Sequence, residues 1–166
     1  SKVRRFARYE GVVTSYVHAG GRIGVIVKFD TTDEIASTDA FKTYAHNVAM
    51  QIAAMNAEYL DESCVPAERV EKEKTILTEQ IVSEGKPANI AEKIVAGRLN
   101  KFFKEICLVD QVYVQDSSMT VKQYTDSVAK ELGGEIKIAA YTRFEKGEGL
   151  EKRQDDFAAE VAGMMK

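Results

Sequence analysis

The sequence has no tryptophan, two prolines, two cysteines and two histidines. Two cysteines, Cys64 and Cys107, cannot make a disulfide framework or a cysteine metal site, so both are expected to be free thiols in a reducing setting. His18 and His46 have no Cys, Asp or Glu at metal-ligand spacing, so no metal and no other cofactor is expected. No apolar run approaches the ~20 residues that span a bilayer, and no signal-peptide pattern opens the chain. Charge of one sign is also lacking. The chain carries 23 basic and 26 acidic side chains, a net charge of -3. That balance gives no general pull toward nucleic acid or an anionic membrane surface. The opening Ser-Lys-Val-Arg-Arg runs at once into patterned sequence, and a longer natural protein is expected.

Catalytic patterns are missing too. Ser15 has no Gly-x-Ser-x-Gly elbow around it, and no Gly-x-x-x-x-Gly-Lys-Ser/Thr loop occurs. Asp155 and Asp156 are neighbours on an expected helix, where they point apart and cannot share a proton. In Tyr16–Gly24, YVHAGGRIG, residues 19, 21 and 24 nearly match the Gly-x-Gly-x-x-Gly fingerprint. That fingerprint needs a helix opening after it. Ile23-Gly24-Val25-Ile26-Val27-Lys28-Phe29 follows instead, and its β-branched residues predict a strand. Gly20 and Gly21 then serve a hairpin turn, supplying positive φ. A binding protein is favoured over an enzyme.

What is present is patterned, with 45% apolar and 30% charged residues, the mix of a globular protein. Val3–His18 predicts a long strand with an irregularity at Gly11, and 22–30 predicts its partner, with Ile23, Val25, Val27 and Phe29 facing the core. Residues 31–37 read as a loop. Ser37 or Thr38 caps a helix with Phe41, Ala45, Val48, Ile52 and Met55 as its apolar stripe, and His46 lies off that stripe in solvent. Pro66 opens a highly charged helix over 67–84, and Gly85 and Pro87 stop it. Asn89 caps a second helix whose apolar side runs from Ile90 through Val95 and Phe102 to Ile106. Narrow stripes on two long helices joined by a short turn predict a projecting antiparallel pair, a coiled-coil arm.

The body then resumes with a strand over 111–115 carrying Val112 and Val114. A helix capped by Thr120-x-x-Gln123 follows and ends at Gly133-Gly134. Ile136, Ile138, Ala140, Thr142 and Phe144 then alternate as a third strand. A final amphipathic helix shows Phe157, Val161 and Met164 or Met165. The fold class is α+β, a small antiparallel sheet covered by helices on one face. The expected units are 1–64 and 107–148 for the body, 65–106 for the arm and 149–166 for the terminal helix.

Three readings of function stay open on the residues alone. His18, beside the turn, either caps the hairpin inertly or offers its ring to a partner. Arg4, Arg5 and Arg8 with Phe6 and Tyr9 suggest an RNA face, whose affinity would fall steeply with salt. An exposed sheet face would suit a structural dimer module. The tail residues Phe157, Val161 and Met164 divide between core packing and an interface.

The segments EGVVTSYVHAGGRIGVIV, AMQIAAMN, EGKPANIAEKIVAGRLNKFFKEICL and RFEKGEGLEK, in this order, resemble bacterial elongation factor Ts over essentially the whole chain. The resemblance implies a guanine-nucleotide exchange factor for elongation factor Tu, acting in the cytoplasm by binding rather than as an enzyme. It implies the second core subdomain, the coiled-coil arm and the C-terminal module. The family's Thr-Asp-Phe-Val motif, whose Phe wedges into the GTPase, does not occur here, so poor exchange is expected of this chain. By the same resemblance His18 and Val114 meet the partner's third domain, and the helix of Phe157, Val161 and Met164 meets its GTPase domain. No membrane and no direct nucleic-acid contact is implied. A homodimer through the core subdomain remains open.

Overall fold

The structure is a computed structural model that describes residues 9–147. Strand β1, Val12–His18, turns at Ala19–Gly21 into β2, Ile23–Asp30. Gly20 and Gly21 have φ of 66° and 94°, the positive values the turn requires. The strand expected from Val3 thus begins at Val12. Gly11, at φ 95°, precedes it, and residues 3–8 lie outside the described residues.

Residues 31–37 contain a short helix, α1, Asp33–Ala36, and are not all loop. Four residues are too few to show a helical period. The local signal was Thr32, whose hydroxyl accepts from the Ile35 N–H, with Asp33 and Glu34 in the first turn. Thr38 caps α2, Asp39–Met55. Phe41, Ala45, Val48 and Ile52 are buried as expected, and His46 is exposed. Met55 is exposed as well. Its place on the stripe belongs to Gln51, which is fully buried.

Helix α3, Ala67–Ser83, and helix α4, Ala88–Ile106, pack on each other through Leu77, Ile81, Ala91 and Val95. Asn89 does not cap α4. The helix starts two residues earlier, after Pro87, whose fixed φ suits entry into a helix. At the root of the pair, Val65, Ile106 and Cys107 form a small separate core with Tyr59, Val70, Phe102 and Phe103 beside it. Arg69 clamps this root. Its guanidinium lies 5.7 Å from the Tyr59 ring centre and 5.6 Å from that of Phe102, and it pairs with Glu58 at 2.9 Å.

Gly97 lies inside α4, and a Cβ there would meet nothing within 4 Å. Gly97→Ala should therefore stabilise the chain by about 0.5–1 kcal/mol, through the unfolded chain's lost freedom. A urea midpoint that stays put or falls would contradict this.

After α4 come β3, Val112–Tyr113, and β4, Asp116–Thr120, paired with each other as a two-stranded ribbon apart from the main sheet. The β4 strand carries no apolar alternation, which is why only its partner was legible. Thr120 and Gln123 form a reciprocal capping box at the start of α5, Val121–Glu131. Strand β5, Lys137–Glu145, completes the antiparallel sheet in the order β1-β2-β5.

The alternation in β5 is interrupted. Lys28 pairs with Ala140 but Phe29 with Ile138, so Ala139 is an extra residue. Beyond the bulge the faces exchange. Tyr141 and Arg143 turn toward α2, donating to the Ala57 carbonyl at 2.7 Å and the Ala53 carbonyl at 3.1 Å. Thr142 meets the Tyr9 hydroxyl on the other face. The alternating run from Ile136 to Phe144 is thus split, with Ala140, Thr142 and Phe144 on the face opposite Tyr141 and Arg143.

The core joins Val25, Val27 and Phe29 of the sheet to α2 and α5. At its centre Phe29 meets Phe41 edge-on at 5.3 Å and Tyr44 at 5.6 Å. The described residues are an α+β fold with a small antiparallel sheet covered by helices. Among them no helix is long and apolar enough to cross a membrane.

Cys64 is exposed and Cys107 is buried, and both are free thiols. Burial pushes the Cys107 thiol up to about 12 from an ordinary value near 9.0. The thiol loses its proton more readily in the unfolded chain. Its contribution to stability is thus full below pH ~9 and is lost as pH rises toward ~12. In the native chain a thiol reagent should modify Cys64 promptly and Cys107 only on unfolding. Equal rates would contradict the burial.

Candidate partner-binding site

Alternation along β1 leaves Val13, Ser15 and Val17 exposed and Val12, Thr14, Tyr16 and His18 half-buried on the side of α2. His18 is therefore not a fully exposed cap. Its Nδ1 lies 2.9 Å from the Tyr16 hydroxyl. The Tyr16 and His46 rings meet in a T-shaped arrangement, at 5.0 Å and 88°. His46 belongs to the exposed side of α2, next to Asn47.

Asn47 faces the ribbon on the other flank of the helix. Its side-chain oxygen accepts from Gln115 Nε2 at 3.1 Å, and its own amide donates to the Tyr124 hydroxyl at 3.1 Å. Gln115 follows Val114 in the turn of the ribbon. Tyr113 anchors that turn from below, stacked on Tyr124 at 4.2 Å and 11°. Burial holds the Tyr113 hydroxyl above the usual tyrosine range, so it stays neutral. Tyr113 points inward, so its neighbours point out: Val112 is 56% and Val114 47% exposed.

His18 and Val114 thus stand on the two flanks of α2, joined by the run Tyr16, His46, Asn47, Gln115. None of these is an acid, a lysine or an arginine. The run comprises rings, amides and exposed valines on supports fixed by hydrogen bonds. It offers no nucleophile beside a base. Among the described residues no group of three or more His, Cys, Asp or Glu is placed to hold a metal. What it can do is present a shaped, mostly neutral surface to a macromolecule.

Phe157, Val161 and Met164 lie outside the described residues, as do Arg4, Arg5 and Arg8. Periodicity alone did not single out Asn47, Gln51 or Gln115. Gln51 carried a signal all the same, as a polar residue three positions after Val48 and four before Met55.

The family model described as "Elongation factor TS" matches residues 1–148. Elongation factor Ts of Carboxydothermus hydrogenoformans is 53% identical over 159 residues, covering 95% of this chain and 73% of that protein. That of Desulforamulus reducens is 49% identical over 158 residues, with 95% and 73% covered. That of Symbiobacterium thermophilum is 48% identical over 165 residues, with 96% of this chain but 54% of the relative covered. A match along nearly the whole chain, at about half the residues, settles the family: this chain belongs to the elongation factor Ts family of translation elongation factors.

Proposed function

We propose that this chain binds elongation factor Tu and acts on its guanine-nucleotide exchange by binding alone. The observation that supports this most is the fixed run from His18 to Val114, free of acids, lysines and arginines, in a chain of this family. In this reading His18 and Val114 are contacts to the partner, with Phe157, Val161 and Met164 a further contact from the tail. The pair of helices over 65–106 is a coiled-coil arm inserted in the core subdomain, and the setting is cytoplasmic.

Exchange needs no covalent step. A factor that holds the nucleotide-free GTPase more tightly than the nucleotide-bound one weakens the nucleotide by the same factor. Contacts that are equal in both states shift nothing. Thr-Asp-Phe-Val is absent from this sequence. The chain should therefore bind elongation factor Tu but accelerate its GDP release poorly.

The test is titration of elongation factor Tu with the chain and with His18→Ala. Loss of the ring should weaken binding by about 1 kcal/mol, roughly fivefold. Unchanged affinity would return His18 to a purely local role as partner of Tyr16.

Self-association is the second reading. The outer face of the sheet exposes Val13 and, at 68%, Val17. Sedimentation of the chain at two concentrations separates dimer from monomer.

A further inference from the structure

Gln51 is the one fully buried amide side chain of α2, and its geometry accounts for all its polar atoms. Gln111 fixes its orientation. Gln111 Nε2 faces two carbonyl oxygens, Glu105 at 2.9 Å and Met55 at 3.5 Å, and an amide NH2 can only donate to them. The Gln111 oxygen must then face Gln51. Gln51 Nε2 donates to it at 3.1 Å and to the Val112 carbonyl at 3.1 Å. That leaves the Gln51 oxygen to accept the Val114 N–H at 3.0 Å.

Gln51 therefore grips the ribbon at Val112 O and at Val114 N, the two residues whose side chains point outward on either side of Tyr113. A carboxylate could not donate to Val112, and an apolar residue could do neither. We infer that Gln51 is a positioning residue: it sets the exposed Val112–Val114 edge in the conformation a partner meets. This rests on the reading of Val114 as a contact to elongation factor Tu.

The variant is Gln51→Met, similar in size and without an amide, in the full chain. Residue-resolved hydrogen exchange should show the Val114 amide exchanging at least tenfold faster. Unchanged Val114 exchange overturns the inference. Binding to elongation factor Tu should weaken about fivefold, and Val114→Ala should cost less in the Gln51→Met background than in the unmodified chain. A buried residue that only supports stability would leave the two effects additive, and additivity of two measurable losses overturns the inference. Faster Val114 exchange with unchanged affinity supports the positioning and overturns the contact reading of Val114 instead. Should Gln51→Met not fold, the unmodified chain still decides. Its Val114 amide should exchange at least tenfold more slowly than an unstructured amide, and exchange at the unstructured rate overturns the inference.

Discussion

Val114→Asp should weaken binding to elongation factor Tu by at least about 2 kcal/mol, roughly thirtyfold, while leaving the fold intact. Val114 is 47% exposed in the free chain, so a carboxylate there is hydrated and costs the fold little. In a complex the same carboxylate would lose its water against the partner. An unpaired charge in a contact is among the most costly substitutions available. The side chain also sits on a fixed support, so it cannot turn away cheaply: the Val114 N–H is held by Gln51 at 3.0 Å, and the neighbouring Gln115 by Asn47 at 3.1 Å. Parallel thermal melts separate the two effects. A variant that binds like the unmodified chain would remove Val114 from the interface. One that melts far lower would mean the valine is part of the core.

The largest effect on stability is expected at Phe29. The residue is 2% exposed and touches Phe41 and Tyr44 at 5.3 and 5.6 Å between ring centres. It is also where the β2–β5 register shifts. Phe29→Ala should lower the unfolding free energy by about 3–5 kcal/mol, the sum of lost transfer energy and a cavity that rigid neighbours cannot close. That is a large share of the ~5–15 kcal/mol of an ordinary domain. In urea the midpoint should fall with little change in slope. A loss below ~1 kcal/mol would mean that the centre of the core lies elsewhere.

These two sites differ in how visible they were beforehand. Phe29 was legible because burial on one face of a strand writes a period of two, and Ile23, Val25, Val27 and Phe29 keep it without a break. The α2 stripe and the Thr120–Gln123 capping box were legible for the same reason, since each is a local rule with a fixed spacing. Strand β5 kept the period but lost the faces. A bulge adds one residue and no sequence signal, so Ala140 and Thr142 leave the face of Ile138, and Tyr141 and Arg143 turn inward instead. Met55 failed similarly. Its spacing fits the stripe, but the ribbon covers the neighbouring line of α2, and the residue beneath it is Gln51.

The candidate site was less legible than the fold because it is built from pairs far apart in the chain. His46 read as a solvated histidine and is exposed, yet its ring packs against that of Tyr16. The grip of Gln51 on Val112 and Val114 spans 61 and 63 positions of sequence. No periodicity reports such contacts. His18 and Val114 were identified through family resemblance. The fold connects them physically across α2.

The association with elongation factor Tu is tested most directly by fluorescence titration of the nucleotide-free GTPase with the unmodified chain, followed by release of fluorescent GDP at saturation. Saturable binding is expected, together with GDP release well below that produced by a factor carrying Thr-Asp-Phe-Val. Absence of binding up to about 100 μM, an association free energy weaker than roughly 5 kcal/mol, would contradict it.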